Sequence, residues 1–98
     1  MKVYIKIHCR SEIACVACCD EDLINKVFKE DNLRIEISEH FYGGNLVNID
    51  EAIHLLGGAT SFNLVGDNII NAAINHKIVP KDGVSVINGV PMAMKMLC

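Results

Sequence analysis

Apolar residues along this chain recur with a period of two in some stretches and about 3.6 in others. They do so in the order expected of an α+β domain, with two or three helices packed on a mixed or mostly antiparallel sheet. Four stretches carry that expectation. Lys2 to His8 alternates between apolar and polar residues. The segments beginning at Asn48 and at Gly66 each place their apolar residues on one helical stripe. Asn88-Gly89 separates two apolar runs, as in a two-residue hairpin turn.

Taken in order, Val3, Ile5 and Ile7 share one face of a half-buried first strand, with Lys2, Tyr4 and Lys6 on the other. Arg10-Ser11-Glu12 turns the chain, and Ile13 to Cys19 forms a second strand, paired to the first as a hairpin. Asp20 suits a helix N-cap, and Leu23, Ile24, Val27 and Phe28 follow at helical spacing until Asp31-Asn32 stops them. Leu33, Ile35 and Ile37 alternate again as a third strand. A glycine-bearing loop, Glu39 to Asn45, comes next.

Asn48 with Glu51 has the spacing of a capping box, opening a helix over Ile49, Ala52, Ile53 and Leu56 that Gly57-Gly58 ends. Phe62 to Val65 is a short buried strand. Gly66-Asp67 starts a third helix, with Ile69, Ile70, Ala73 and Ile74 inward and Lys77 near its C-terminal end. The last hairpin runs Val84 to Ile87, turns at Asn88-Gly89 and returns from Val90 to Leu97. Pro91 has no N–H to give a ladder, so its strand lies at an edge or starts irregularly. The expected order is β-β-α-β-α-(β)-α-β-β, in a single domain spanning residues 1–98.

Composition narrows the function classes. Half of the residues are apolar (51%) and 21% are charged, as in a folded globular protein. A net charge of −3 supplies no basic footprint, which disfavours nucleic acid as a partner, because phosphate contacts carry most of that affinity. No apolar run is long enough for a membrane span, and the alternating N-terminus is not a secretory core. The expected location is therefore the cytoplasm. There, five cysteines are reduced thiols, and an odd number cannot pair completely within one chain.

Four stretches occur in a telling order: Cys19-Asp20-Glu21-Asp22-Leu23, Phe41-Tyr42-Gly43-Gly44, Asn63-Leu64-Val65-Gly66 and Gly89-Val90-Pro91. Together they resemble a family of small archaeal proteins catalogued as domain of unknown function 424, over essentially the whole chain. The resemblance implies an archaeal, cytoplasmic, free-standing domain and brings no activity with it. Members of that family commonly carry a histidine after the Gly-Val-Pro, where this chain has Met92. They also carry aliphatic residues where it has Cys15 and Cys18. The resemblance thus implies that neither that histidine nor a cysteine cluster is shared family chemistry.

Three of the five cysteines fall within Cys15-Val16-Ala17-Cys18-Cys19. Cys9, Cys15, Cys18 and Cys19 could form a tetrahedral metal set or a redox pair. Zinc, however, takes its CxxC from a tight turn, and a strand points Cys15 and Cys18 to opposite faces. Asp20, Glu21 and Asp22 oppose a thiolate. Core packing is the favoured reading, because free buried cysteine behaves as a small hydrophobe. No metal and no cofactor are expected.

Phe41, Tyr42, Gly43 and Gly44 are the first binding candidates: two aromatics can stack, and two glycines admit close backbone approach. Asn63 and Gly66 are the second, at a strand–glycine–helix junction where free amides could meet an anion, with Asp67 placed to compete for them. A Walker lysine and a Gly-x-Gly-x-x-Gly are both missing. His54 and His76 have no partner at metal spacing. Met92, Met94 and Met96 share a strand face, as flexible packing or an adaptable surface.

The reading with most support is a non-catalytic domain that contacts a protein partner or larger assembly through the aromatic-glycine loop. A homodimer is compatible with it. The alternatives are a metal- or thiol-dependent protein, an RNA or ribosome accessory, and a small enzyme with a pocket near Gly66.

Overall fold

The structure, a computed structural model, describes residues 1–96. Its strands are β1 (Lys2–Arg10), β2 (Ile13–Asp20), β3 (Val27–Glu30), β4 (Leu33–Glu36), β5 (Asn45–Asn48), β6 (Phe62–Val65), β7 (Ser85–Ile87) and β8 (Val90–Lys95). Its α-helices are α1 (Glu39–Tyr42), α2 (Ile49–Gly57) and α3 (Asp67–Asn75). Leu97 and Cys98 lie outside the described residues. Six strands form one sheet in the order β5-β1-β2-β6-β8-β7, and β3–β4 is a separate hairpin. Only β2 and β6 run parallel; every other pair is antiparallel. The molecule is an α+β domain on a mixed sheet. No helix among the described residues is long and apolar enough to cross a membrane.

Helices α2 and α3 cover one face of the sheet. Val3, Ile5, Val16, Cys18 and Leu64 meet Leu56, Ile69 and Ala73 there. The β3–β4 hairpin and α1 cover the opposite face, where Ala17, Cys19 and Val65 meet Ile37 and Tyr42. Strand β2 lies between two neighbours and two covers, so Val16 through Asp20 are all buried. Successive side chains alternate between the two cores, which explains an almost unbroken run of small apolar residues. Each fully buried leucine or isoleucine contributes about 1.5–3 kcal/mol of transfer free energy.

Every element expected from the sequence has a counterpart, but the segment after Asp20 differs. Only Glu21–Leu23 coils, as a single 3-10 turn. Val27 and Phe28 then enter β3, and Asp31-Asn32 is the turn of the β3–β4 hairpin, with Asp31 at φ 54°. A stripe at 23, 24, 27 and 28 fits a short helix. In the structure a turn and a strand, where a β-branched residue and an aromatic are at home, carry them instead, and Val27 is left 42% exposed. Leu23, Ile24 and Phe28 do reach the second core.

Asp20 is not the cap of its own turn. Its carboxylate accepts hydrogen bonds from the Asn68 and Ile69 amides at 2.8 and 2.9 Å, capping α3 from 48 residues away. Asn48 makes no side-chain capping bond. The first amide of α2, on Ile49, donates instead to the Met1 carbonyl at 3.0 Å. Three short elements are additional: β3, α1 and the edge strand β5, which pairs with β1.

Strand β8 is an inner strand, between β6 and β7. The edge placement expected for Pro91 is therefore wrong; β8 pairs with β7 from Val90 onward, and its pairing with β6 begins at Met92, after the proline. The Gly66 amide donates to the Pro91 carbonyl at 2.9 Å. The reciprocal bond would need a proline N–H, and it is not required: the Gly66 carbonyl turns away to accept from Ile70 at 3.0 Å in the first turn of α3. Proline stands where β6 leaves the sheet. The closing hairpin is as expected, with Asn88 at φ 49° and Gly89 at φ 80°, both left-handed as a type I′ turn requires.

Candidate functional site

The aromatic-glycine loop is fastened to β1. Ser38 caps α1 by accepting from the Phe41 amide at 3.1 Å. The Phe41 ring stacks on His8 with centroids 4.6 Å apart and 18° between planes, and Tyr42 meets Phe41 edge-on at 4.9 Å. His8 Nε2 lies 2.7 Å from the Phe41 carbonyl. A carbonyl can only accept, so that nitrogen carries the proton. Lys6 Nζ donates to the His40 carbonyl at 2.6 Å.

Both glycines of the loop are demanded by the protein's own chain. A Cβ on Gly43 would fall 2.6 Å from the Glu39 carbonyl oxygen, and one on Gly44 would collide with the Ile5 carbonyl of β1. The aromatics face inward. Tyr42 is only 6% exposed, and Phe41 is half-buried.

The cysteines are divided between the two faces. Cys18 joins the helix-covered core and Cys19 the hairpin-covered core, both with no exposed surface. Cys15 shares the face of Cys19, and Cys9 that of Cys18, by the strand alternation. Four sulfurs on opposite sides of a sheet cannot surround one ion. Among the described residues, no group of three or more His, Cys, Asp or Glu is placed to hold a metal.

Burial pushes the Cys18 thiol far up, and Cys19 and Asp20 push it further. Burial, then Asp20 and Asp22, push Cys19 up to about 12. Iodoacetamide should therefore label exposed Cys9 first and half-buried Cys15 more slowly, leaving Cys18 and Cys19 unmodified until the chain unfolds. Peptide mass spectrometry reads this, and early labelling of Cys18 or Cys19 refutes it.

At the second candidate, Gly66 adopts φ 122° at the start of α3. A Cβ there would strike the Asp20 carboxylate. The two amides that could have met an anion are already taken by that carboxylate. Exposed Asp67, expected to compete for them, does not. Gly66 is there to admit Asp20.

Asn63 belongs elsewhere. With Tyr42, it lines a cleft of about 290 Å³ between the β3–β4 hairpin and strands β6 and β8, bordered by Ile35, Ser85, Met92 and Met94. The Asn63 amide donates weakly to Cys15 Sγ at 3.6 Å, which leaves its carbonyl oxygen and second N–H for other partners. Among the described residues no buried side-chain oxygen or nitrogen lacks a partner, and the Tyr42 phenol bonds none of them, so its oxygen keeps access to the surface at a residue that lines the cleft. Burial, together with the Cys19, Cys15 and Cys18 thiols, pushes that phenol up to about 12. It stays a neutral donor at any physiological pH. None of the residues lining the cleft is charged.

Of the residues proposed from sequence, Tyr42 and Asn63 thus meet, and two residues of the methionine stripe join them. Met92 is half-buried, whereas Met94 and Met96 are 65% and 62% exposed. Phe41, Gly43 and Gly44 hold the loop. His54 and His76 border a separate shallow depression beside Asp50. Ile35 and Ser85 carry no local signal that would single them out.

The sequence profile of a family described as "Protein of unknown function (DUF424)" matches residues 7–96, which include every lining residue of the cleft. The chain belongs to the DUF424 family. No curated protein matches it. This DUF424 chain is similar to a solved structure described as an uncharacterized conserved protein from Methanopyrus kandleri, an archaeon. The two share 24% identity and superimpose with a TM-score of 0.83, over 96% of this chain and 90% of that one. At that identity the likeness shows a shared fold.

Proposed function

We propose that this DUF424 protein is a non-catalytic cytoplasmic binding domain that receives part of a protein partner, or of a larger assembly, in the cleft between the β3–β4 hairpin and strands β6 and β8. One observation carries the reading. Tyr42 from the aromatic-glycine loop and Asn63 from β6, distant in sequence, open onto the same cleft beside Met92 and Met94. A few polar groups set among apolar ones is the usual make-up of a recognition pocket. The unbranched thioethers adapt to the shape of what they cover. The uncharged lining offers no carboxylate or histidine for proton transfer, which favours recognition over catalysis.

Affinity capture from cells of the native organism, with wild type beside Met94→Glu and Glu51→Lys, tests this. Both substituted residues are exposed, so neither substitution removes a buried core side chain. Met94→Glu should lose at least about 90% of the partner, since it sets an unpaired charge on an apolar contact. Glu51→Lys, on the helix-covered side, should retain it. Equal capture by Met94→Glu and wild type would sink the proposal.

A further inference from the structure

We infer that the cleft takes a tyrosine side chain of the partner, its ring against Met92 and Met94 and its hydroxyl exchanging hydrogen bonds with Tyr42 and Asn63. The inference rests on the cleft being the recognition site, and it names what enters it. Size comes first: about 290 Å³ is at the small end of the range for ligand pockets, roughly 300–1,000 Å³, and suits one large side chain rather than a nucleotide cofactor.

Polarity comes next. Tyr42 is 6% exposed, and its hydroxyl, which is no buried orphan, bonds no other group among the described residues. Asn63 spends one of its two N–H groups on a thiol at 3.6 Å, and its carbonyl oxygen accepts from no other group among the described residues. The cleft thus presents an O–H that can donate and a carbonyl that can accept, close to apolar walls. Leaving such groups dry and unpaired beneath a ligand is costly, so the occupant has to answer both.

Elimination among side chains follows. Lysine, arginine, aspartate and glutamate would lose hydration against a lining with no charge to meet them. Leucine, methionine and phenylalanine would cover the methionines but leave Tyr42 and Asn63 unanswered. Tryptophan brings a single donor and no acceptor for the Tyr42 hydroxyl. Serine, threonine, asparagine, glutamine and histidine answer the polar groups but bring less apolar surface than a tyrosine ring to Met92, Met94 and Ile35. Tyrosine does both: its hydroxyl gives one hydrogen bond and receives another, and its ring makes sulfur–aromatic contacts.

The test is a titration of isotope-labelled full-length protein with the capped tripeptides acetyl-Gly-Tyr-Gly-amide, acetyl-Gly-Phe-Gly-amide and acetyl-Gly-Trp-Gly-amide. It is read at the Asn63 side-chain amide and the Met92 and Met94 methyls by NMR. Saturable shifts are expected with the tyrosine peptide, and binding about tenfold weaker with the other two. In Tyr42→Phe, which keeps the ring, the tyrosine and phenylalanine peptides should bind within about twofold of each other.

No saturable shift with the tyrosine peptide up to about 10 mM overturns the inference. So does equal or tighter binding of the phenylalanine or tryptophan peptide to wild type. An undiminished tyrosine preference in Tyr42→Phe also overturns it. The two levels separate cleanly. If Met94→Glu abolishes capture but no tyrosine preference exists, the cleft stands and its occupant is wrong; if Met94→Glu captures normally, the cleft itself is wrong.

Discussion

Asp20→Ala should cost about 2–3 kcal/mol of folding stability, and Asp20→Asn less than half as much, measured by urea unfolding. The Asp20 carboxylate is buried and holds two amides of α3 at 2.8 and 2.9 Å. An ordinary cap lost to alanine costs about 1 kcal/mol. Here the deletion strips two donors at once, and the Ile69 amide, which is buried, cannot turn to water. Asparagine keeps one acceptor oxygen and so retains part of the cap.

The same pair of variants gives a signed pH dependence. Burial raises the Asp20 carboxyl above its ordinary value of 3.8; the Asn68 and Ile69 amides oppose this, and Asp22 and Asp67 add to it. A carboxyl whose folded value lies above its unfolded value holds a proton that the unfolded chain has released. Its contribution to stability is fully present below 3.8 and falls as pH rises through the folded value. Asp20→Asn cannot titrate there, so its deficit against wild type should shrink as pH climbs from about 4 toward neutrality. A deficit that widens over that range contradicts the assignment.

Gly44→Ala should cost about 3 kcal/mol, because the added methyl would collide with the Ile5 carbonyl and crowd Lys6 Cα and Cβ, each at 2.9 Å. Strand β1 cannot yield, since it is hydrogen-bonded to β5 on one side and to β2 on the other. The loop must move instead, and it carries α1 with it. Gly44→Ala should therefore shift the Tyr42 ring signals and weaken partner capture together. Gly57→Ala adds its methyl to open space and serves as the control. Unchanged Tyr42 signals in Gly44→Ala would show that the loop is not held as described.

What the sequence made legible follows the reach of each signal. Local periods found β1, β2, β4, β6, α2 and α3, and Asn88-Gly89 fixed the last turn, because each is written in adjacent residues. The stripe from Leu23 to Phe28 was ambiguous, since four apolar residues cannot separate a helix from a turn followed by a strand. Helix α1 is a single turn, too short for a 3.6-residue period to show, and β5 reads Asn-Leu-Val-Asn, which does not alternate. The partner of Asp20 depends on the parallel pairing of β2 with β6, which no local pattern encodes.

The same holds for the cleft. Tyr42 and Asn63 could be singled out by residue type, as an aromatic before glycines and an amide before a helix. Their meeting required the sheet order. Ile35 and Ser85 arrive from two further strands and look like ordinary strand residues. The cysteine cluster was resolved by alternation alone: consecutive strand residues cannot face the same way, and Cys18 and Cys19 do not.

The parallel pairing has a consequence for synthesis on the ribosome. Val16 to Cys19 are matched by Phe62 to Val65, and those in turn by Met92 to Lys95. The first hairpin therefore emerges long before the segment that closes its inner side, and that segment in turn waits for residues 92–95 to acquire its own neighbour. A nascent chain halted before residue 62 exposes an unpaired backbone edge flanked by apolar side chains, the kind of template on which aggregates grow.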